Sequence, residues 1–225
     1  MDVEIMYRPS YSLALVRLAP HEEIRVEAGS MVSMSDGVSI QTQATGGLLK
    51  SLVRSIAGGE SFFQNVFRAP AKGGEIALAP ALPGDLAVLE LENQSMLIQS
   101  GSFVAAETSL RIDTTWGGAR AFFGSEGLIM LRVSGSGKAI VSAYGAIHRR
   151  DLSPGERYTV DSGHLVAFPE SIGFKVRPVG SIKSTFLSKE GLVVDLTGPG
   201  SVFIQTRSID AFLSWLLPKL PSRRQ

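Results

Sequence analysis

The sequence predicts an all-β protein made of three copies of one strand pattern, and three observations predict it. The 225 residues include 24 glycines and 11 prolines, a turn-rich content that stays below the roughly 25 to 30% of low-complexity chains. Short apolar runs alternate with turn signals, and none reaches the length of a membrane-spanning helix. A motif of the form Leu-x-Pro-x-Glu, then an alternating strand, a glycine and a second apolar strand, recurs at a period of roughly 60 to 70 residues. With 44% hydrophobic and 19% charged positions, the chain can bury a core and stay dissolved.

In the first copy Leu18-Ala19-Pro20-His21-Glu22 leads through Val26 to Gly29-Ser30-Met31-Val32. In the third, Leu152-Ser153-Pro154-Gly155-Glu156 leads through Val160 to Gly163-His164-Leu165-Val166, and both leucine-to-glycine separations are 11. The middle copy, Leu91 to Gly101-Ser102-Phe103-Val104, lacks the proline and is one residue shorter. The second half of each copy opens on a glutamate beside small residues, Glu60, Glu126 and Glu190, and enters a strand. A glycine turn follows, at Gly73-Gly74, Gly135-Ser136-Gly137 and Gly198-Pro199-Gly200, with another strand behind it, an order that predicts a hairpin. Leu192, Val194 and Leu196 alternate with Val193, Asp195 and Thr197, as one buried face requires. The units span approximately 3–80, 81–145 and 146–207, in one domain running to residue 217. The fold class is therefore a triplicated β-sandwich or barrel.

Two stretches depart from the β pattern. Leu48, Leu49, Leu52, Val53 and Ile56 recur at helical spacing with Lys50 and Arg54 opposite, which predicts a short amphipathic helix at 48–56. At 208–217 a second helix is predicted, with Ser208 as its cap, Asp210 in its first turn and Pro218 as its stop. Only Asp210 and Ser214 are polar between Ile209 and Leu217, so this helix requires cover on most sides, from its own chain or a neighbour. Residues 218–225 read as a tail. Leu48, Leu52, Ile56, Phe212, Trp215 and Leu216 are thus the candidate interface residues.

Composition excludes several function classes. The formal net charge is +1, so no global field advertises nucleic acid or an anionic membrane as partner. Having no cysteine, the chain forms no disulfide, thiolate zinc site or cysteine nucleophile. The amino terminus, Met1-Asp2-Val3-Glu4, carries acids where a signal or transit peptide carries bases, and the expectation is a cytoplasmic protein.

No catalytic constellation survives testing. Gly135-Ser136-Gly137-Lys138 has Arg132 where a phosphate-binding loop needs its first glycine and Ala139 where it needs a hydroxyl. Neither Ser61 nor Ser136 is flanked by the glycines of a hydrolase elbow, and His21-Glu22-Glu23 lacks the second histidine of a zinc protease. His164 stands where the other copies carry Ser30 and Ser102, as a polar edge residue. His148, Arg149 and Arg150, with Arg157, form the densest cationic spot, but no aromatic residues interleave them for base stacking. Glu60, Glu126 and Glu190 are the cation candidates, since equivalent carboxylates converging on an axis can hold an ion, although accepting backbone N–H bonds at strand entries is the plainer role.

Gly58-Gly59-Glu60-Ser61-Phe62-Phe63, Ala79-Pro80, Pro83-Gly84-Asp85, Gly101-Ser102-Phe103, Tyr144-Gly145, Gly198-Pro199-Gly200 and Ile204-Gln205-Thr206-Arg207, in this order, resemble the AIM-twenty-four family, named for altered inheritance of mitochondria. The resemblance runs from about residue 3 to residue 217. It implies a fold like the tryptophan RNA-binding attenuation protein, with three β units around a pseudo-threefold axis, and a homotrimer. It supplies no reaction, and no RNA- or tryptophan-binding motif of the attenuation protein is matched here.

The expectation is a non-catalytic oligomeric scaffold or adaptor with no cofactor, acting through further copies and an unidentified protein partner. An RNA-binding module, by fold analogy alone, and a small-molecule or cation binder using a cleft between repeats are the alternatives. For the 48–56 helix, its short length and two bases favour packing on the sandwich or a subunit over a membrane surface.

Overall fold

The computed structural model describes residues 1–42, 64–113, 128–179 and 192–221. They form a mostly β protein with several antiparallel sheets and one short α-helix. A first group comprises β1 (Asp2–Met6), β2 (Leu13–Leu18), β3 (Glu23–Glu27), β4 (Met31–Met34), β5 (Ser39–Thr42), β6 (Gln64–Arg68) and β7 (Gly74–Leu78). A second comprises β8 (Leu86–Gln99), β9 (Phe103–Glu107), β10 (Arg111–Asp113) and β11 (Met130–Ser142). The third comprises β12 (Ile147–Leu152), β13 (Arg157–Asp161), β14 (Leu165–Pro169), β15 (Gly173–Pro178), β16 (Leu192–Thr197) and β17 (Gly200–Gln205), and α1 (Ile209–Leu216) follows.

In the first group β2 and β4 flank β7, while β3 and β5 flank β6, and β1 adds to the outside of β2. In the third, β12 and β14 flank β17, while β13 and β15 flank β16. In the second group β8 runs along the whole of β11, with β9 on the later half of β11 and β10 on its earlier half.

The proline motif decides whether the first strand breaks. Pro20 and Pro154 lack the N–H a ladder needs, so the chain turns there between β2 and β3 and between β12 and β13. The motif's glutamate closes the turn. Glu22 accepts from the Ala19 N–H at 2.8 Å, and Glu156 accepts from the Ser153 N–H at 2.8 Å. Without proline the middle copy continues as the single 14-residue strand β8, bent where Asn93 adopts a φ of 51°.

The three predicted glycine hairpins do not form. β6 and β7, and likewise β16 and β17, pair with different neighbours and never with each other, and Met130–Ser142 is one continuous strand. The glycines are corners at which the chain leaves one set of partners for another. Gly137 and Gly200 both take a φ of 149°, open to glycine and strained for other residues. Alternation reports which face of a strand is buried but not which strand lies beside it, so local sequence suggested the nearest partner.

Three apolar clusters form the core of the described residues. The first holds Val16, Ile24, Val26, Phe67, Ile76 and Leu78, and also Val104 and Ala105 of β9. The second holds Leu91, Ile98, Phe103, Leu131 and Val141, and also Val166 and Ala167 of β14. The third holds Leu152, Val160, Leu165, Phe168, Val194 and Val202. The borrowed residues follow from two ladders between groups, β3 with β9 and β8 with β14.

The linkers between groups meet each other. Gly84 and Gly145 form a parallel bridge, Ser12 N–H donates to Gly84 C=O at 3.0 Å, and Asp85 N–H donates to Gly145 C=O at 2.8 Å. The Asp85 carboxylate, almost wholly buried, accepts from Arg8 Nε at 2.8 Å, Arg8 Nη2 at 2.9 Å, Ser12 Oγ at 3.1 Å and Leu86 N–H at 2.9 Å.

The predicted helix at 48–56, with Leu48, Leu52 and Ile56, lies outside the described residues, as do Glu60, Glu126 and Glu190.

Candidate functional site

Sequence and structure agree on α1 to within a residue at each end. Ser208 caps it, its Oγ accepting from Ala211 N–H at 3.5 Å and its carbonyl from Phe212 N–H at 3.1 Å. Asp210 lies in the first turn, and Pro218 falls in a closing 3-10 turn, Leu217–Lys219. The cover that its composition demands is not supplied by the described residues. No residue of α1 is buried, and Trp215 and Leu217 are each 59% exposed.

The end of β17 and the two residues after it are fastened to neighbouring segments through the Gln205 and Thr206 side chains and the Arg207 backbone. Gln205 Oε1 accepts from Tyr144 N–H at 2.8 Å, and its Nε2 donates to Gly163 C=O at 2.8 Å. Thr206 Oγ1 accepts from Ala146 N–H at 2.9 Å, and Arg207 N–H donates to Tyr144 C=O at 3.1 Å. These bonds tie three segments together, residues 144–146, the 3-10 turn Ser162–His164 and the start of α1.

A pocket of about 300 Å³ opens between them, with Tyr144, Phe212 and Trp215 as aromatic wall and Arg207, His164 and Thr206 as polar groups. Phe212 meets Tyr144 edge-on at 6.1 Å between ring centroids, and Trp215 lies 6.1 Å from Phe212. His164 Nδ1 is 2.7 Å from Gln205 C=O. A carbonyl only accepts, so Nδ1 carries the proton in this contact. Ser208 Oγ accepts from Ala211 N–H as the cap of α1, and Thr206 Oγ1 accepts from Ala146 N–H. The chemistry of the pocket is apolar contact with one cation and a few hydrogen bonds at the rim.

The cationic spot is largely compensated. Arg149 Nε donates to Asp151 at 2.9 Å, Arg150 Nη2 donates to Glu156 at 2.8 Å, and the Arg150 guanidinium lies 5.7 Å from the Tyr158 ring centroid. The Glu156 carboxyl sits below its ordinary range, held chiefly by the Ser153 N–H and then by Arg150. His148 and Arg157 are exposed beside them on β12 and β13. Asp151 and Glu156 were close enough in sequence to signal this neutralisation; the Arg8–Asp85 pair, 77 residues apart, left no such signal.

Among the described residues no three His, Asp or Glu side chains gather as metal ligands, and no helix is long and apolar enough to cross a membrane.

Comparison with known proteins places these features in a family. An uncharacterised protein of Streptococcus pyogenes serotype M6 is 26% identical over 221 residues, covering 94% of this chain and 88% of that protein. A crystal structure of a Streptococcus pyogenes protein superposes with a TM-score of 0.80 at 25% identity, covering 97% of this chain and 99% of the other. Residues 3–207 match the family described as Mitochondrial biogenesis AIM24. That span takes in the buried linkers and the Gln205-Thr206-Arg207 lock but stops before the exposed helix, and the chain belongs to the AIM24 family.

Proposed function

We propose that the chain is a non-catalytic oligomeric scaffold, built of three repeats about a pseudo-threefold axis and acting through displayed surfaces. The observation that carries this reading is α1, an apolar helix fastened by its first turn and bare along its length. Isolated surface leucines are ordinary, but Ile209, Phe212, Leu213 and Trp215 of one short helix, with Leu217 just after it, are all exposed, and water disfavours so much apolar surface within nine residues. A subunit contact removes it, and aromatic residues are what such contacts favour. The pairing scheme shared by the first and third groups, and traced by the halves of β8 and β11 in the second, supports the triplicated reading.

Replacing both Phe212 and Trp215 by serine tests the reading. Sedimentation at micromolar concentration is expected to show the parent chain as an oligomer and the double variant dissociating at least tenfold more readily, with the β circular dichroism retained. An unchanged mass in the double variant speaks against the helix as the contact.

A further inference from the structure

We infer that the pocket between α1, the linker at Tyr144 and the end of β17 binds a small aromatic carboxylate, a flat molecule of one or two rings with a single negative charge. Its lining is of two kinds. The rings of Tyr144, Phe212 and Trp215 supply apolar surface, and His164, Thr206 and Arg207 supply polar groups. At about 300 Å³ it lies at the lower end of the range of ligand pockets, about 300 to 1,000 Å³, which limits the guest to a small molecule.

The charge of the guest follows from Arg207. Arg8, Arg132, Arg150 and Arg177 each donate to a carboxylate of their own chain. Among the described residues Arg207 has no such partner. Its backbone N–H is bonded to Tyr144 C=O at 3.1 Å and its Nη1 to Thr206 C=O at 3.0 Å, so the residue is held in place with most of its five donors unused by the described residues. His164 Nδ1, Thr206 Oγ1 and Ser208 Oγ, by contrast, are already bonded within the protein. No carboxylate lines the pocket, and Asp210, two residues before Phe212, falls on the opposite side of the helix. A second cation stands at the far ring, with Lys219 Nζ 5.2 Å from the Trp215 centroid. The local field is therefore positive, and an ammonium group is repelled there with nothing to pair it. The guest is an acid, and amines and amino acids are excluded.

The shape of the guest follows from the rings. Phe212 stands at 75° to the Tyr144 ring and is tilted by 31° from that of Trp215. Three rings set in this way offer flat faces and edges to another ring, the two arrangements in which aromatic groups attract. A guanidinium takes a carboxylate through two parallel N–H bonds in one plane, and an acid attached directly to a ring presents its oxygens in such a plane.

Every lining residue belongs to one chain, so the site does not rest on the oligomeric reading. Ala211, Phe212 and Trp215 line the pocket, whereas Ile209 and Leu213, four residues apart, share another face of α1. A guest in the pocket and a subunit on the helix do not exclude each other.

Calorimetric titration of the full-length chain with 2-naphthoate tests the site. One saturable site per chain is expected, with a Kd of about 10 μM to 1 mM, the range that ordinary ligand efficiency gives an acid of this size. The neutral 2-naphthamide is expected to bind at least tenfold more weakly. Arg207→Met is expected to bind the acid at least tenfold more weakly and the amide within about twofold of the parent, because only the acid uses the guanidinium. Ala211→Phe, which fills the pocket from an exposed helix position, is expected to abolish binding of both without lowering the melting temperature. The site is overturned if 2-naphthoate shows no saturable binding, or if Arg207→Met binds it as the parent does. Equal affinity of the parent for acid and amide overturns the assigned charge even where the variants fail to fold, and decanoate binding tenfold more tightly than 2-naphthoate overturns the aromatic class. A monomeric parent that binds 2-naphthoate in this pattern supports the site while contradicting the oligomeric reading.

Discussion

Gly84→Ala is expected to be the most damaging small substitution in the chain. A β-carbon at position 84 stands 1.7 Å from the Ala143 carbonyl oxygen and 2.8 Å from that of Gly145. Both atoms are backbone, so no side chain can rotate away, and the two linkers must part. Parting them breaks the bridge to Gly145 and strains the bonds of Ser12, Asp85 and Ala143 that hold the groups together. The expected loss exceeds about 4 kcal/mol, in the exceptional tail of point substitutions, read as the shift in a urea unfolding midpoint. Gly101→Ala is the control. There a β-carbon meets only the flexible amide of Gln99 at 3.2 Å, and the expected change stays within about 0.5 kcal/mol. Comparable losses for the two variants would remove the close approach as the reason for Gly84.

The buried Asp85 carboxylate ties stability to pH. Burial raises its pKa, but the hydrogen bonds from Arg8, Leu86 N–H and Ser12 together outweigh that effect and hold it below the ordinary 3.8. A carboxyl depressed on folding contributes stability that is present above its unfolded value and is lost as pH falls through the folded one. Unfolding midpoints of the parent chain should therefore drop as pH falls below about 4, and Asp85→Asn should flatten that part of the profile. Arg8→Ala leaves a buried carboxylate with two neutral donors. Breaking a fully buried pair costs about 3 to 5 kcal/mol, and because Arg8 is 53% exposed the expected cost near neutral pH is about 1 to 3 kcal/mol. An Arg8→Ala profile superposing on that of the parent at every pH would show that the pair carries no such linkage.

These two effects show what was legible in the sequence. The turn motif was legible because its physics is local: proline ends the ladder and a glutamate reaches back three residues to close the turn. The boundaries of α1 were legible for the same reason, since Ser208, Asp210 and Pro218 each act within one turn. The strand partners were not. β16 and β17 are two residues apart and share no bond, because each completes a set begun more than 30 residues earlier. Pro83-Gly84-Asp85 carried a family resemblance, yet the need for glycine and a buried charge became visible only with Ala143 and Arg8 beside it.

The candidate site divides along the same line. Phe212, Trp215 and Leu216 were picked from composition and line an exposed helix, whereas Gln205, whose side chain ties the end of β17 to Tyr144 and Gly163, was seen only as a letter in a motif.

Whether copies of this chain assemble is read from the native mass of the purified protein at micromolar concentration. The expected mass is a multiple of 24.0 kDa with no added ligand or nucleic acid. A single species at 24.0 kDa would contradict it.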